Sequence, residues 1–175
     1  SLAAMNILLG GAPKHLDSFR NDLEIAGANI TLSVSNEVET TDVFNAIIYD
    51  GRGLDSPVEL RALYDFFNAH IAKLTRCGRV ILIGQKPRAS DSPGRAAAMA
   101  ALEGFARSLG REIGRYGSTV HTLIGAPSAN GSLRPAIRFI CSPRSAFSSG
   151  QTLHLTKPKR AIAPQYERPL AGKVA

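Results

Sequence analysis

Residues 94–116, GRAAAMAALEGFARSLGREIGRY, follow the apolar run Val80-Ile81-Leu82-Ile83 at a short distance, and these two stretches decide the fold. Ala98, Leu102, Phe105, Ala106, Leu109 and Ile113 recur at steps of three and four, so one side of a long helix is apolar. Arg95, Glu103, Arg107 and Arg111 fall largely elsewhere. Alanine dominates the first half, which keeps helix propensity high and lets another backbone come close. The pattern predicts a helix over Gly94 to Tyr116 laid on a sheet.

The flanking sequence repeats that alternation. Before the Arg79 to Ile83 strand, Leu60, Leu63, Phe66, Phe67, Ile71 and Leu74 predict a helix running to about Arg76. Pro57 suits its first turn, and Glu59 lies in the acidic start. Further upstream, Asn6 to Leu9, Asn29 to Ser35 and Ala46 to Tyr49 read as strands. A helix from His15 to Ala26 joins the first two and ends at Gly27. Downstream, Ser118 to Ile124 and Gln151 to Leu155 are strands separated by a short helix over Leu133 to Cys141. Strands alternating with helices predict an α/β three-layer sandwich with a mostly parallel sheet of five or six strands, in a flavodoxin-like or truncated Rossmann-like order.

A chain of 175 residues is one ordinary domain, able to bury roughly two thirds of its unfolded-state surface. Residues 1–155 form that domain, and 156–170, rich in proline and basic side chains, read as a connector. Residues 171–175 turn strand-like again and are expected to open a further domain. Ser1-Leu2-Ala3-Ala4-Met5 lacks the basic patch and long apolar core of a secretory leader, and no window approaches a membrane span. Cys77 and Cys141 have no paired spacing, which favours a reduced, cytoplasmic setting. The net charge of +7 is scattered, apart from Lys157-Pro158-Lys159-Arg160, and no nucleic-acid-binding motif accompanies it. Neither nucleic acid nor membrane is an expected partner.

In a parallel sheet the ligand loops lie at the carboxyl ends of the strands. Gly10-Gly11 could offer backbone N–H groups to a phosphate with Lys14 adding charge, yet a dinucleotide loop needs further glycines, and Pro13 removes a donor. Tyr49, Asp50 and Arg52 read either as a polar-ligand site or as a local turn with salt bridges, the turn being favoured. Lys86, Arg88 and Arg95 crowd the loop before the long helix. With its amino terminus they form a candidate anion or domain-docking site, and a carboxylate partner would ease their opposition to the helix dipole. His15, His70, His121 and His154 are scattered, without metal-ligand spacing.

The segments Cys77-Gly78-Arg79-Val80-Ile81-Leu82-Ile83-Gly84, Ala100 to Glu112, and Ser149-Gly150-Gln151-Thr152-Leu153-His154 resemble short-chain dehydrogenases/reductases. More closely, the chain resembles the amino-terminal flavodoxin-like domain of high-molecular-weight 3-oxoacyl-[acyl-carrier-protein] reductases, with Gly172-Lys173-Val174-Ala175 similar to the first strand of the catalytic domain that follows there. That resemblance implies a parent oxidoreductase of fatty acid metabolism that uses NADH or NADPH in a carboxyl-terminal domain. It also implies homo-oligomers of the full protein.

The family's residues are not carried over. Its Tyr-x-x-x-Lys falls on Arg95 and Met99, and its glycine-rich loop falls on Leu9 to Leu16, where the first glycine alone matches. Its third strand and helix are missing between Ser35 and Phe44. The expectation is therefore a non-catalytic interface or assembly domain, with no catalytic, cofactor or metal residues of its own. The alternative is a module that binds an acyl-carrier phosphopantetheine, coenzyme A or a nucleotide.

Overall fold

The computed structural model describes residues 2–12, 16, 20–21, 23–33, 42–126 and 130–157, the side chains of residues 130 and 131 excepted. Strands β1 (Asn6–Gly11), β2 (Asn29–Leu32) and β3 (Phe44–Asp50) come first. Helix α1 (Leu60–His70), β4 (Leu74–Gln85), α2 (Pro93–Ile113), β5 (Thr119–Gly125), α3 (Asn130–Cys141) and β6 (Gln151–Leu155) follow. Between β1 and β2 the chain is helical at residues 16, 20–21 and 23–25. Gly27, at φ 92°, closes that helix: its N–H reaches the Glu24 carbonyl at 2.8 Å, and the Ala28 N–H reaches that of Leu23 at 3.0 Å. This is the paired closure for which a left-handed glycine is suited.

The six strands stand in the order β2-β1-β3-β4-β5-β6, and each neighbouring pair is parallel. The first five follow the flavodoxin-like order expected from the sequence, with β6 added beside β5. Apolar side chains alternate to both faces, because a parallel sheet is covered on both. Ile7, Leu9, Ile81 and Leu123 meet Leu23 and, from α3, Ile137. On the opposite face Leu8, Ile47 and Leu82 meet Phe66 of α1 and Leu102 of α2. Three layers result.

The helix expected to reach Arg76 stops earlier. It ends at His70, a 3-10 turn covers Ile71–Lys73, and Leu74 already pairs with Phe44 in the sheet. Ile71 and Leu74 are three apart, so helical periodicity alone does not separate the last turn from the first strand residue. A bulge lies between the Leu74 and Arg79 pairings, where Cys77 has φ 56° and the Gly78 N–H is held by Ser118 Oγ at 3.1 Å. The long helix matches its expected span, with its final turn tightened to a 3-10 turn over Gly114–Tyr116. Residues 158–175, which include most of the expected connector and the closing strand, lie outside the described residues.

Candidate functional site at the carboxyl edge of the sheet

The order reverses at β1, so the crevice between the carboxyl ends of β1 and β3 is where a doubly wound sheet takes its ligands. In this chain the two strand ends are tied together. The Ala12 N–H donates to the Asp50 carbonyl at 3.1 Å, and the Gly51 N–H to that of Ile83 at 2.8 Å. Gly11 has φ 106°, and a Cβ on it would lie 2.2 Å from the Asp50 carbonyl oxygen. A Cβ on Gly10 would lie 2.1 Å from Phe66 Cε2, and one on Gly53 would lie 2.8 Å from the Ala12 methyl. These glycines are thus required by contacts within the chain. Lys14 lies outside the described residues.

Asp50 is buried and holds Arg52 on three sides. The Arg52 backbone N–H and Nε reach Oδ1 at 3.0 Å each, and Nη2 reaches Oδ2 at 2.7 Å. Of the two readings of this motif, the local turn with an ion pair is the one formed. Neighbouring Tyr49 points into the ring cluster, 5.1 Å from Phe66 and 6.1 Å from Phe67 between centroids. Burial first, and then the Asp50 and Glu59 charges, push its hydroxyl up to about 12.

The loop after β4 leads into α2 through Ser92, whose side chain accepts from the Arg95 N–H at 3.1 Å as an amino-terminal cap. From the first turn the Arg95 side chain runs inward, 14% exposed. Its Nη2 donates to the Arg52 carbonyl at 3.0 Å and to Gln85 Oε1 at 3.1 Å. Nη1 reaches the Leu54 carbonyl at 3.4 Å and pairs with the Asp55 carboxylate, while Nε lies 3.8 Å from Asp91 Oδ2. Arg95 therefore joins the β3 loop, the end of β4 and the α2 cap. The carboxylates expected from a partner come from the same chain. Their position was legible only in part, since Asp91 is four residues ahead while Asp55 is distant in sequence.

One turn along α2, Met99 is 2% exposed and its sulfur accepts from the Gln85 N–H at 3.3 Å. Arg88 is exposed and approaches Asp91 at 3.6 Å, and Lys86 is exposed beside it, its N–H on the Gly125 carbonyl at 3.1 Å. The structure thus brings Lys86, Arg88 and Arg95 to one loop but turns Arg95 away from solvent. Gln85 was not singled out in the sequence; its place at the end of β4 is what gives it two partners. Among the described residues no group of three His, Cys, Asp or Glu side chains is placed to hold a metal, and no helix is long and apolar enough to cross a membrane.

Among solved structures, the chain is similar to a short-chain dehydrogenase/reductase from Serratia marcescens at TM-score 0.70 and 12% identity, over 88% of this chain and 96% of that one. The fold is α/β and Rossmann-like. BdcA from E. coli is similar at TM-score 0.67 and 16% identity, over 88% and 99% of the two chains. A blue fluorescent protein from a metagenomic library, solved in complex with NADPH, is similar at TM-score 0.69 and 15% identity, over 87% and 96%. No protein-family model matches the sequence, and no curated protein matches it significantly. At these identities the likeness establishes the α/β Rossmann-like architecture.

Proposed function

We propose that this chain is a non-catalytic domain on a reductase fold, serving as the interface or assembly domain of an NAD(P)H-dependent reductase of 3-oxoacyl thioesters. The observation that carries the reading is the inward course of Arg95 at the position where the resembling family places its tyrosine acid. A guanidinium stays protonated at any working pH and has no proton to give to a carbonyl. This one is also engaged with Asp55, Asp91, Gln85 and two backbone carbonyls. Met99, at the lysine position, is buried, un-ionisable and held on the Gln85 N–H.

The same edge is a poor fit for a dinucleotide. A phosphate-binding glycine is small so that the ligand can approach, whereas Gly10 and Gly11 are small because Phe66 and the Asp50 backbone stand against them. No chemical step through a nicotinamide is therefore assigned to this chain. Its contribution would be surface: α1 and α2 cover one face of the sheet and are the helices proposed to pack against the reductase partner or a second copy.

The test is a fluorescence titration of the chain with NADH and NADPH, with a 3-oxoacyl thioester present in a parallel assay. Flat titrations and no turnover are expected; saturable binding with turnover sinks the proposal. Heat on mixing with coenzyme A or acyl-carrier protein would move the assignment to a ligand-binding module. For the assembly role, the reading frame after Ala175 is decisive: a glycine-rich loop and Tyr-x-x-x-Lys are expected there, and a stop codon would remove the partner on which that role depends.

A further inference from the structure

At the opposite end of the sheet from the candidate site, Arg79 lies in β4 directly beside Thr119 of β5, and His121 follows two residues along β5. The alternation of the strands sets all three on the face covered by α3, since Ile81, Ile83 and Leu123 of the same alternation pack with Ile137 and Ile140. Arg79 is 7% exposed, Thr119 4% and His121 1%.

Some of their polar atoms are placed. Arg79 Nη1 donates to the Cys77 carbonyl at 2.7 Å, and His121 Nε2 lies 3.0 Å from Ser148 Oγ. Three others have no hydrogen-bond partner among the described residues: Arg79 Nε, Thr119 Oγ1 and His121 Nδ1. Among the described residues Arg79 enters no ion pair either. Its charge reaches two neighbours: it works with burial to lower the His121 pKa, and against burial at the Cys141 thiol, which is still pushed up to about 12.

We propose that Arg79, Thr119 and His121 form a buried binding site for a small monovalent inorganic anion, for which chloride is the probe. A buried guanidinium without a carboxylate leaves a charge to be matched, and a buried donor without an acceptor keeps its desolvation penalty uncompensated. An anion answers all three groups at once. Arg79 Nε–H and the Thr119 hydroxyl are donors, and in the tautomer in which His121 Nε2 accepts from Ser148 the ring proton is on Nδ1, a third donor. The site carries one fixed positive charge, that of Arg79, so a monovalent anion balances it. Water would satisfy the hydrogen bonds but would leave the charge unmatched.

The experiment compares thermal unfolding of the 175-residue chain in sodium chloride and in sodium gluconate at equal ionic strength. Above the dissociation constant the midpoint is expected to rise by about 3–5 °C for each tenfold increase in chloride, and by nothing comparable in gluconate. Arg79→Met should abolish the difference, and Thr119→Val, which keeps the volume, should reduce it. Crystals soaked in bromide should carry an anomalous peak within hydrogen-bonding distance of Arg79 Nε. Equal midpoints in the two salts, an unchanged chloride response in Thr119→Val, or a water in place of bromide would each overturn the assignment. If Arg79→Met fails to fold, the Thr119→Val series and the bromide map decide the matter. The outcome is independent of the cofactor titrations at the other edge of the sheet.

Discussion

Arg95 has four hydrogen-bond acceptors and one further carboxylate about it, drawn from residues 52–55 and from Gln85 and Asp91 at the two ends of the loop before α2. Removing it would leave Asp91 with Arg88 as its one cation among the described residues, and Gln85 Oε1 and the Arg52 carbonyl without the guanidinium donor. Arg95→Met is therefore expected to destabilise the fold by about 1–2 kcal/mol, read as a lower midpoint in urea at unchanged slope. Arg95→Lys should recover little of this, because an ammonium cannot reproduce the planar fork that reaches carbonyl, amide and carboxylate together. A variant as stable as wild type would show that these contacts are dispensable, and would reopen Arg95 as a free anion-binding group.

Elements fit here through glycine. Helix α1 presses the Phe66 ring onto β1 where Gly10 has no side chain, and its last residue, His70, brings Nε2 to 3.1 Å from Ser33 Oγ just after β2. Helix α1 thus spans β1 and the end of β2. Gly10→Ala would place a methyl inside the Phe66 ring, so α1 must shift or the ring must leave its rotamer; a loss of about 1–3 kcal/mol is expected. Gly104→Ala is the control, because nothing lies within 4 Å of a Cβ there, and alanine is the better helix former. Calorimetric melting of the two variants separates close packing from a general glycine effect: the first midpoint should fall, and the second should hold or rise.

At the scale of the whole molecule, two imidazoles are buried among the described residues, and both weaken the fold in acid. Burial lowers the pKa of His70, with Lys73 adding to it, and burial lowers that of His121, with Arg79 adding to it. The unfolded chain therefore binds protons that the folded chain refuses, so stability is full above about pH 6.5 and declines as pH falls through and below that value. Urea midpoints are expected to drop between about pH 7 and pH 5, and the drop should be smaller in His121→Gln, which retains a group able to meet Ser148. A midpoint flat across that window would mean that neither ring stays neutral on folding.

The alternation of strands with helices, the length of α2, the glycine that ends the first helix and the bounds of β6 were legible in the sequence. Each depends on local periodicity or on a backbone preference that one stretch of chain expresses alone. Where the Arg95 side chain goes was not legible: in the first turn of the helix, beside Lys86 and Arg88, it looked like part of an exposed anion site, and only the fold brings Asp55 and Gln85 to it. The end of α1 at His70 and the orphaned donors beside Arg79 belong to the same class. Strand pairing and burial decide them, and both are interactions between residues too far apart along the chain for any local pattern to record.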